Sequence, residues 1–360
     1  MLKQLRPPSR LNIEPNFQTG HEKRLRMQIH PKKLSVIITV YNVEAYIIDC
    51  LRSVKSQTLA PDEIIICDDA STDRTLEMVR GFPINAQIIG STTNRGALLN
   101  TLSGLNASTG GIVCFLDGDD TWPPNKLELV VRSFDRDREV ILITHNHRRV
   151  DSLGQPTGIQ DDTHRNIERI QRISDKNQQQ LELRRSALLR LGFWFGSAYS
   201  IRKSALNLPK FTHLVSTKPE AKFSYLDLVL GPFIISDNPT GRLVYLADIC
   251  FDYRIHEGGS AHARTLDKQM LGLTRIKCTN LLTKNCLMKT ASNKEIDYVY
   301  SNLIAECDYL EHLYAKNYKA AIRIFFSISR FLIDRNRLGK ELLRFLLVRL
   351  FGTAKFLRIK

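Results

Sequence analysis

Apolar residues along this chain follow two alternating periods. Leu34-Ser35-Val36-Ile37-Ile38-Thr39-Val40, Glu63-Ile64-Ile65-Ile66-Cys67 and Ile112-Val113-Cys114-Phe115-Leu116 are short, nearly unbroken runs rich in β-branched residues. Their length and content predict strands buried on both faces. Residues 86–90 and 140–143 are weaker runs of the same kind. Between the runs, apolar positions recur at helical spacing. A helix is predicted over about 43 to 57, with Ile47, Cys50, Leu51 and Val54 on one face and Asn42 as its N-cap. A second, capped by Ser71 or Thr72, carries Leu76 and Val79. A third starts at Asn94-Arg95-Gly96 and continues through Leu98, Leu102 and Leu105. A fourth, opened by Pro123 or Pro124, presents Leu127, Val130, Val131 and Phe134. Strand and helix alternating at this spacing predict right-handed βαβ units on a mainly parallel sheet, an α/β fold.

The second half is less regular. Residues 151–177 show little periodicity and much polarity, which predicts a long loop or partial disorder. Residues 178–191 are helical in pattern, with Gly192 as terminator. Residues 193–201 read as an aromatic loop entering a strand, and 243–247 and 250–255 as two further strands. Beyond about Arg264 the pattern is helical to the end. The expected division is a basic, loosely ordered segment over 1–33, a domain over 34–262 whose halves meet near 150, and a helical region over 263–360.

Composition changes this picture little. The chain is 43% hydrophobic and 25% charged, ordinary for a globular protein. Its seven cysteines show no metal-like spacing, so reduced thiols are expected, with Cys67, Cys114 and Cys250 in the core. No apolar leader and no stretch of about 18 apolar residues is visible, which predicts a cytoplasmic protein.

Charge is more informative. The net +15 sits at the ends: residues 1–33 hold eight Lys/Arg against two acids, and 316–360 hold twelve against two, leaving 34–315 near neutral. A nucleic-acid partner is therefore not expected. Over 318–360 apolar residues such as Phe325, Phe326, Leu342, Leu346 and Leu350 are interrupted by Arg323, Arg344 and Arg349. That pattern suits a helical bundle with a wet basic face. It equally suits helices peripheral on an anionic cytoplasmic membrane surface.

The chemistry-bearing stretch is Phe115-Leu116-Asp117-Gly118-Asp119-Asp120-Thr121-Trp122-Pro123-Pro124. Three carboxylates follow a buried strand, at the edge where open α/β sheets bind ligands. They repel one another unless a cation intervenes, and oxygen ligands suit Mg²⁺ or Mn²⁺ shared with a substrate phosphate. The plainer reading is a solvated acidic turn. Asp68 and Asp69 also end a buried strand. They can accept hydrogen bonds from a base or ribose, or simply cap a helix.

Taken together, these motifs resemble the inverting family 2 glycosyltransferases of GT-A fold. The matching text is Ser35 to Asn42, Cys50-Leu51-Arg52-Ser53-Val54 with Gln57-Thr58, Asp68-Asp69-Ala70-Ser71-Thr72-Asp73, Asn94-Arg95-Gly96, and Asp117-Gly118-Asp119-Asp120 followed by Trp122 and Pro124. The resemblance is strong over about 34–150, weaker to about 260 and absent after 265. It implies a nucleoside-diphosphate sugar as donor, a UDP-sugar being favoured. Thr39, Tyr41, Asn42, Asp69, Asn94 and Arg95 would line the nucleotide site, and Asp117 would support ribose or metal. Asp119 would bind Mn²⁺ or Mg²⁺, with His256 as a further ligand and Arg254 on the diphosphate. The general base usually comes from a Glu-Asp pair opening a helix. Here that stretch reads Leu226-Asp227, which leaves Asp227 as the base. Trp194 and Phe195 either shape the acceptor site or pack in the core.

The acceptor implied is a glycan or lipid-linked hydroxyl, in cell-surface polysaccharide or glycoconjugate synthesis. The alternatives are a non-catalytic nucleotide-sugar-binding or assembly protein, and a nucleotidyltransferase-like enzyme. A nicotinamide enzyme is disfavoured because no GxGxxG follows the first strand.

Overall fold

A computed structural model describes residues 33–158, 162–189, 196–259, 265–290, 294–328 and 335–353. The expectations for residues 1–32 and for Gly192, Trp194 and Phe195 lie outside these.

One sheet is built from β1 (Leu34–Val40), β2 (Glu63–Asp68), β3 (Gln87–Gly90), β4 (Ile112–Asp117), β5 (Val140–Val150), β6 (Ser200–Arg202) and β7 (Arg242–Arg254), in the order β3-β2-β1-β4-β6-β5-β7. β1 pairs in parallel with β2 and β4, β2 with β3, and β5 with β7. β6 alone runs antiparallel, between β4 and β5. Helices α1 (Ile47–Lys55), α2 (Thr75–Gly81), α3 (Ala97–Ala107) and α4 (Lys126–Arg136) each follow one of the first four strands. This is the expected α/β, GT-A-type arrangement. After β5 come α5 (Asp162–Gln171), α6 (Lys176–Leu188), α7 (Leu208–Ser216) and α8 (Asp227–Asp237). Beyond β7 lie α9 (Leu266–Thr290), α10 (Lys294–Tyr314), α11 (Tyr318–Ser327) and α12 (Arg335–Phe351).

Strand alternation divides the core into two layers. Ile37, Ile65, Val113 and Phe115 face one layer, with Leu98 and Leu102 of α3 and Val229 and Phe233 of α8. Val36, Ile38, Ile66 and Leu116 face the other, with Ile47 and Leu51 of α1 and Leu127 and Val130 of α4. A fully buried side chain of this size contributes roughly 1.5–3 kcal/mol, so the central strands anchor the domain.

Several expectations are corrected. Asn42 caps no helix: it has φ 52, and its Oδ1 accepts the Thr72 N–H at 2.8 Å, tying the turn after β1 to the loop after β2. The helix behind it therefore starts at Ile47, not near 43. Ser71 and Thr72 do not cap α2, whose first residue, Thr75, bonds Asp73 Oδ1 through its N–H at 2.9 Å. α4 begins at Lys126, after Pro123 and Pro124, with Gln57 Oε1 accepting the Leu127 N–H at 3.0 Å.

The expected loop over 151–177 contains α5 and the start of α6. Ile167 and Ile170 are the deeply buried residues of α5 among those whose side chains are described, too narrow a stripe to register as periodicity. The two strands expected over 243–247 and 250–255 are the single β7. Its register against β5 shifts near His145 and Asn146, which accounts for the break in its apolar pattern.

Candidate functional site

Parallel pairing places Thr39 opposite Cys67 of β2 and Asp117 of β4, so the residues following three strands leave the sheet at one edge. Thr39 Oγ1 donates to Asp117 Oδ1 at 2.9 Å. A hollow of about 330 Å³ opens there. Thr39, Tyr41, Asn42, Asp69 and Asn94 line it, and so do Asp117, Asp119, Arg254 and His256. A second hollow of about 260 Å³ shares Thr39, Asp117, Tyr225 and Tyr253 with the first and adds Asp120, Gly196 and Asp227 to its walls.

The acidic turn is held tightly. Asp120 is buried: Ser197 Oγ donates to its Oδ2 at 2.6 Å, and the Arg254 N–H reaches its Oδ1 at 2.9 Å. Ser197 Oγ also accepts the Asp117 N–H at 3.0 Å. The Arg254 guanidinium donates to Asp119 O at 2.9 Å and Ser152 O at 3.0 Å, and lies 5.0 Å from the Tyr46 ring centroid. Arg254 thus grips the backbone of the acidic turn as well as lining the hollow. Gly196 sits so close that an added Cβ would lie 3.0 Å from Asp117 Oδ2.

Burial, then the charge of Asp119, pushes the Asp117 carboxyl up to about 6, against the pull of the Thr39 hydrogen bond. Asp120 is likewise raised well above the usual carboxylate range, by burial and then by the Asp119 and Asp117 charges. A carboxylate cluster so reluctant to ionise is one that a bound cation relieves. His256 Nε2 lies 3.0 Å from Asp119 Oδ2, and its ring leans on Tyr46 with centroids 4.4 Å apart. Carboxylate and imidazole meet at one point, a mixed oxygen and nitrogen donor pair that a divalent cation can use. Among the described residues, no three His, Cys, Asp or Glu side chains form a metal-holding group. A cation held by Asp119 and His256 therefore needs further oxygens from a ligand such as a diphosphate.

The loop after β3 is fixed from below. Asp69 is buried and accepts the Arg95 and Gly96 N–H groups, each at 2.8 Å. The Arg95 side chain turns to Ser103 Oγ at 2.8 Å and does not line the hollow. Asn94 does. Gly96 has φ +88, and a Cβ there would lie 1.8 Å from the backbone oxygen of Lys222. Asp227 opens α8, its carbonyl accepting Tyr199 Oη at 2.8 Å, while Leu226 before it is buried.

Sequence reasoning missed Ser197, which locks Asp117 to Asp120 from 80 and 77 residues away. It also missed Lys222 and Arg275, which bring positive charge to the wall of the larger hollow. Arg275 sits in α9 with ordinary helical spacing, so nothing local distinguishes it.

Residues 35–199 match the family described as Glycosyl transferase family 2. An uncharacterised glycosyltransferase of Nostoc is 35% identical over 119 residues, 32% of this chain and 36% of that protein. The UDP-Glc:alpha-D-GlcNAc-diphosphoundecaprenol beta-1,3-glucosyltransferase of Escherichia coli is 34% identical over 99 residues, 27% of this chain and 39% of that protein. The chain thus matches less than half the length of each relative. The crystal structure of S. aureus TarS 1-349 with UDP-GlcNAc superposes with a TM-score of 0.51 at 17% identity, covering 83% of this chain and 90% of that one. That likeness is one of fold.

Proposed function

We propose that this chain, whose residues 35–199 match the family described as Glycosyl transferase family 2, moves a sugar from a nucleoside-diphosphate sugar to an acceptor hydroxyl with inversion. The observation that carries this reading is the convergence of Asp69, Asp117, Asp119 and His256 on one hollow at the ends of parallel strands. Thr39, Tyr41, Asn42 and Asn94 hold the nucleoside, and Asp117, fixed by Thr39, receives the ribose. Asp119 and His256 would hold Mn²⁺ or Mg²⁺, which would supply positive charge against the departing diphosphate. Lys222 and Arg275 add positive charge to the same wall.

Asp227 takes the acceptor proton. It faces the smaller hollow, which adjoins the larger through Asp117 and Tyr253, so an acceptor there meets the sugar from a side of its own. A UDP-sugar and a glycan or lipid-linked acceptor are favoured because the E. coli relative's name pairs UDP-Glc with a diphosphoundecaprenol-linked sugar. Polysaccharide or glycoconjugate synthesis is the process this serves.

Calorimetric titration of UDP and GDP, each with and without Mn²⁺, tests the donor site, and slow hydrolysis of the matching sugar nucleotide tests the chemistry. Mn²⁺-dependent UDP binding with turnover supports the reading, and no binding of either nucleotide overturns it. Leu226, buried where the resemblance has Glu, favours a second reading, binding without turnover. Binding with no hydrolysis and no transfer to any acceptor would establish that one instead.

A further inference from the structure

The outward face of α12 is a stripe of leucine. Leu342, Leu343, Leu346 and Leu350 are 46, 56, 53 and 72% exposed, whereas Glu341 and Val348 on the opposite side are buried against the bundle. At 100° per residue the four leucines fall within an arc of about 100°. Lys340 and Arg349, both exposed, flank that arc on either side. α11 repeats the arrangement: Phe326 is 65% and Ile322 41% exposed, beside exposed Lys319 and Arg323, while Ala321 and Phe325 pack inward. Each helix therefore has one apolar side that the bundle covers and another that nothing among the described residues covers.

We infer that this second apolar side of α11 and α12 docks on an anionic lipid bilayer, leucine and phenylalanine entering the interface and Lys319, Arg323, Lys340 and Arg349 meeting lipid phosphates. Charge selects this occupant. Residues 316–360 carry twelve basic residues against two acids, a ratio matched to a negative surface. The side chains also divide as an interfacial helix requires, with large apolar groups central and long basic groups at the margins, where they reach upward to headgroups. No helix among the described residues is long and apolar enough to cross a membrane, so the contact is one of lying on the surface. At 17 residues, α12 is about 25 Å long, enough to lay all four leucines along it. The sequence left open whether basic charge or apolar surface faces outward over 318–360; the fold presents both on one side.

Flotation of the full chain with phosphatidylcholine vesicles, with or without about 30 mol% phosphatidylglycerol, tests this. The expected result is co-flotation with the anionic vesicles alone at low salt. Lys340→Ala with Arg349→Ala is expected to weaken binding at least about tenfold. Leu343→Gln with Leu346→Gln and Leu350→Gln should abolish flotation once added salt screens the charges. These residues are exposed, so circular dichroism of each variant should match the parent. Absence of flotation with anionic vesicles overturns the proposal, as does equal flotation with neutral ones. Sedimentation velocity is the further check: a self-associated species that the leucine variant converts to monomer would identify the face as an interface between copies and overturn bilayer docking.

Discussion

Ser197 Oγ stands 2.6 Å from Asp120 Oδ2 and donates its proton to that buried carboxylate. The same hydroxyl receives the Asp117 N–H, so a single side chain pins both ends of the acidic turn. Ser197→Ala leaves a buried acceptor without one donor, expected to lower unfolding free energy by roughly 1–3 kcal/mol. Urea denaturation measures this, and an unchanged midpoint would remove Ser197 from the site's support.

Asp119→Ala takes away the carboxylate that meets His256 at 3.0 Å. Because imidazole alone holds a divalent ion poorly at neutral pH, the Mn²⁺-dependent part of UDP affinity should fall at least about tenfold. The Mn²⁺-independent part should persist, since Thr39 and Asn94 are untouched. Calorimetry in the presence of a chelator and of Mn²⁺ separates the two, and equal loss in both would disprove the assignment.

The Asp117 carboxyl, held up to about 6 by burial and by Asp119, makes nucleotide binding pH-sensitive. In the metal-free protein it takes up a proton as pH falls through 6, and that proton competes with cation and donor. Affinity for UDP with Mn²⁺ should therefore rise from pH 5 to about pH 7 and then level off. Asp117→Asn should flatten the profile. Stability of the ligand-free protein moves the other way: a carboxyl raised on folding favours the fold while protonated, below its unfolded value. That contribution is lost as pH climbs past 6.

For Asp227 the expected outcome is kinetic. Asp227→Asn should cut transfer by about 10²- to 10⁴-fold while leaving UDP affinity alone, because the residue lines the smaller hollow and not the larger. Parallel loss of UDP binding would show Asp227 to be structural, acting through the start of α8.

Gly96→Ala combines a φ of +88 with a Cβ placed 1.8 Å from the Lys222 carbonyl oxygen. Backbone on both sides leaves no flexible group to yield. The variant should lose more than about 1 kcal/mol of stability and bind UDP less tightly, since Gly96 lines the same hollow as Asn94 and Lys222. A thermal melt equal to that of the parent would show that the loop moves freely.

Local order explains what could be read from the chain alone. β1, β2 and β4 are runs of buried aliphatic residues, and a run's burial is written in its own neighbours; the acids that end them come with them. Hence the α/β class, the alternating helices α1 to α4 and the edge bearing Asp69, Asp117 and Asp119 were all legible. α5 was not, since Ile167 and Ile170 alone among its described side chains mark a buried side, and β7 was split in two by the register shift facing His145 and Asn146.

Partnership between distant residues was decided only by the tertiary structure. His256 meets Asp119 across 137 positions, and Arg254, read as a phosphate ligand, spends donors on the carbonyls of Asp119 and Ser152. Arg95 turned from the hollow to Ser103, and the leucines of α12 turned outward because Val348 and Glu341 occupy its inner side. Hydrophobic period settles which residues form an element and which way the sheet runs. Which polar atoms then find each other depends on register and crossing geometry, and these exist only once the layers have packed.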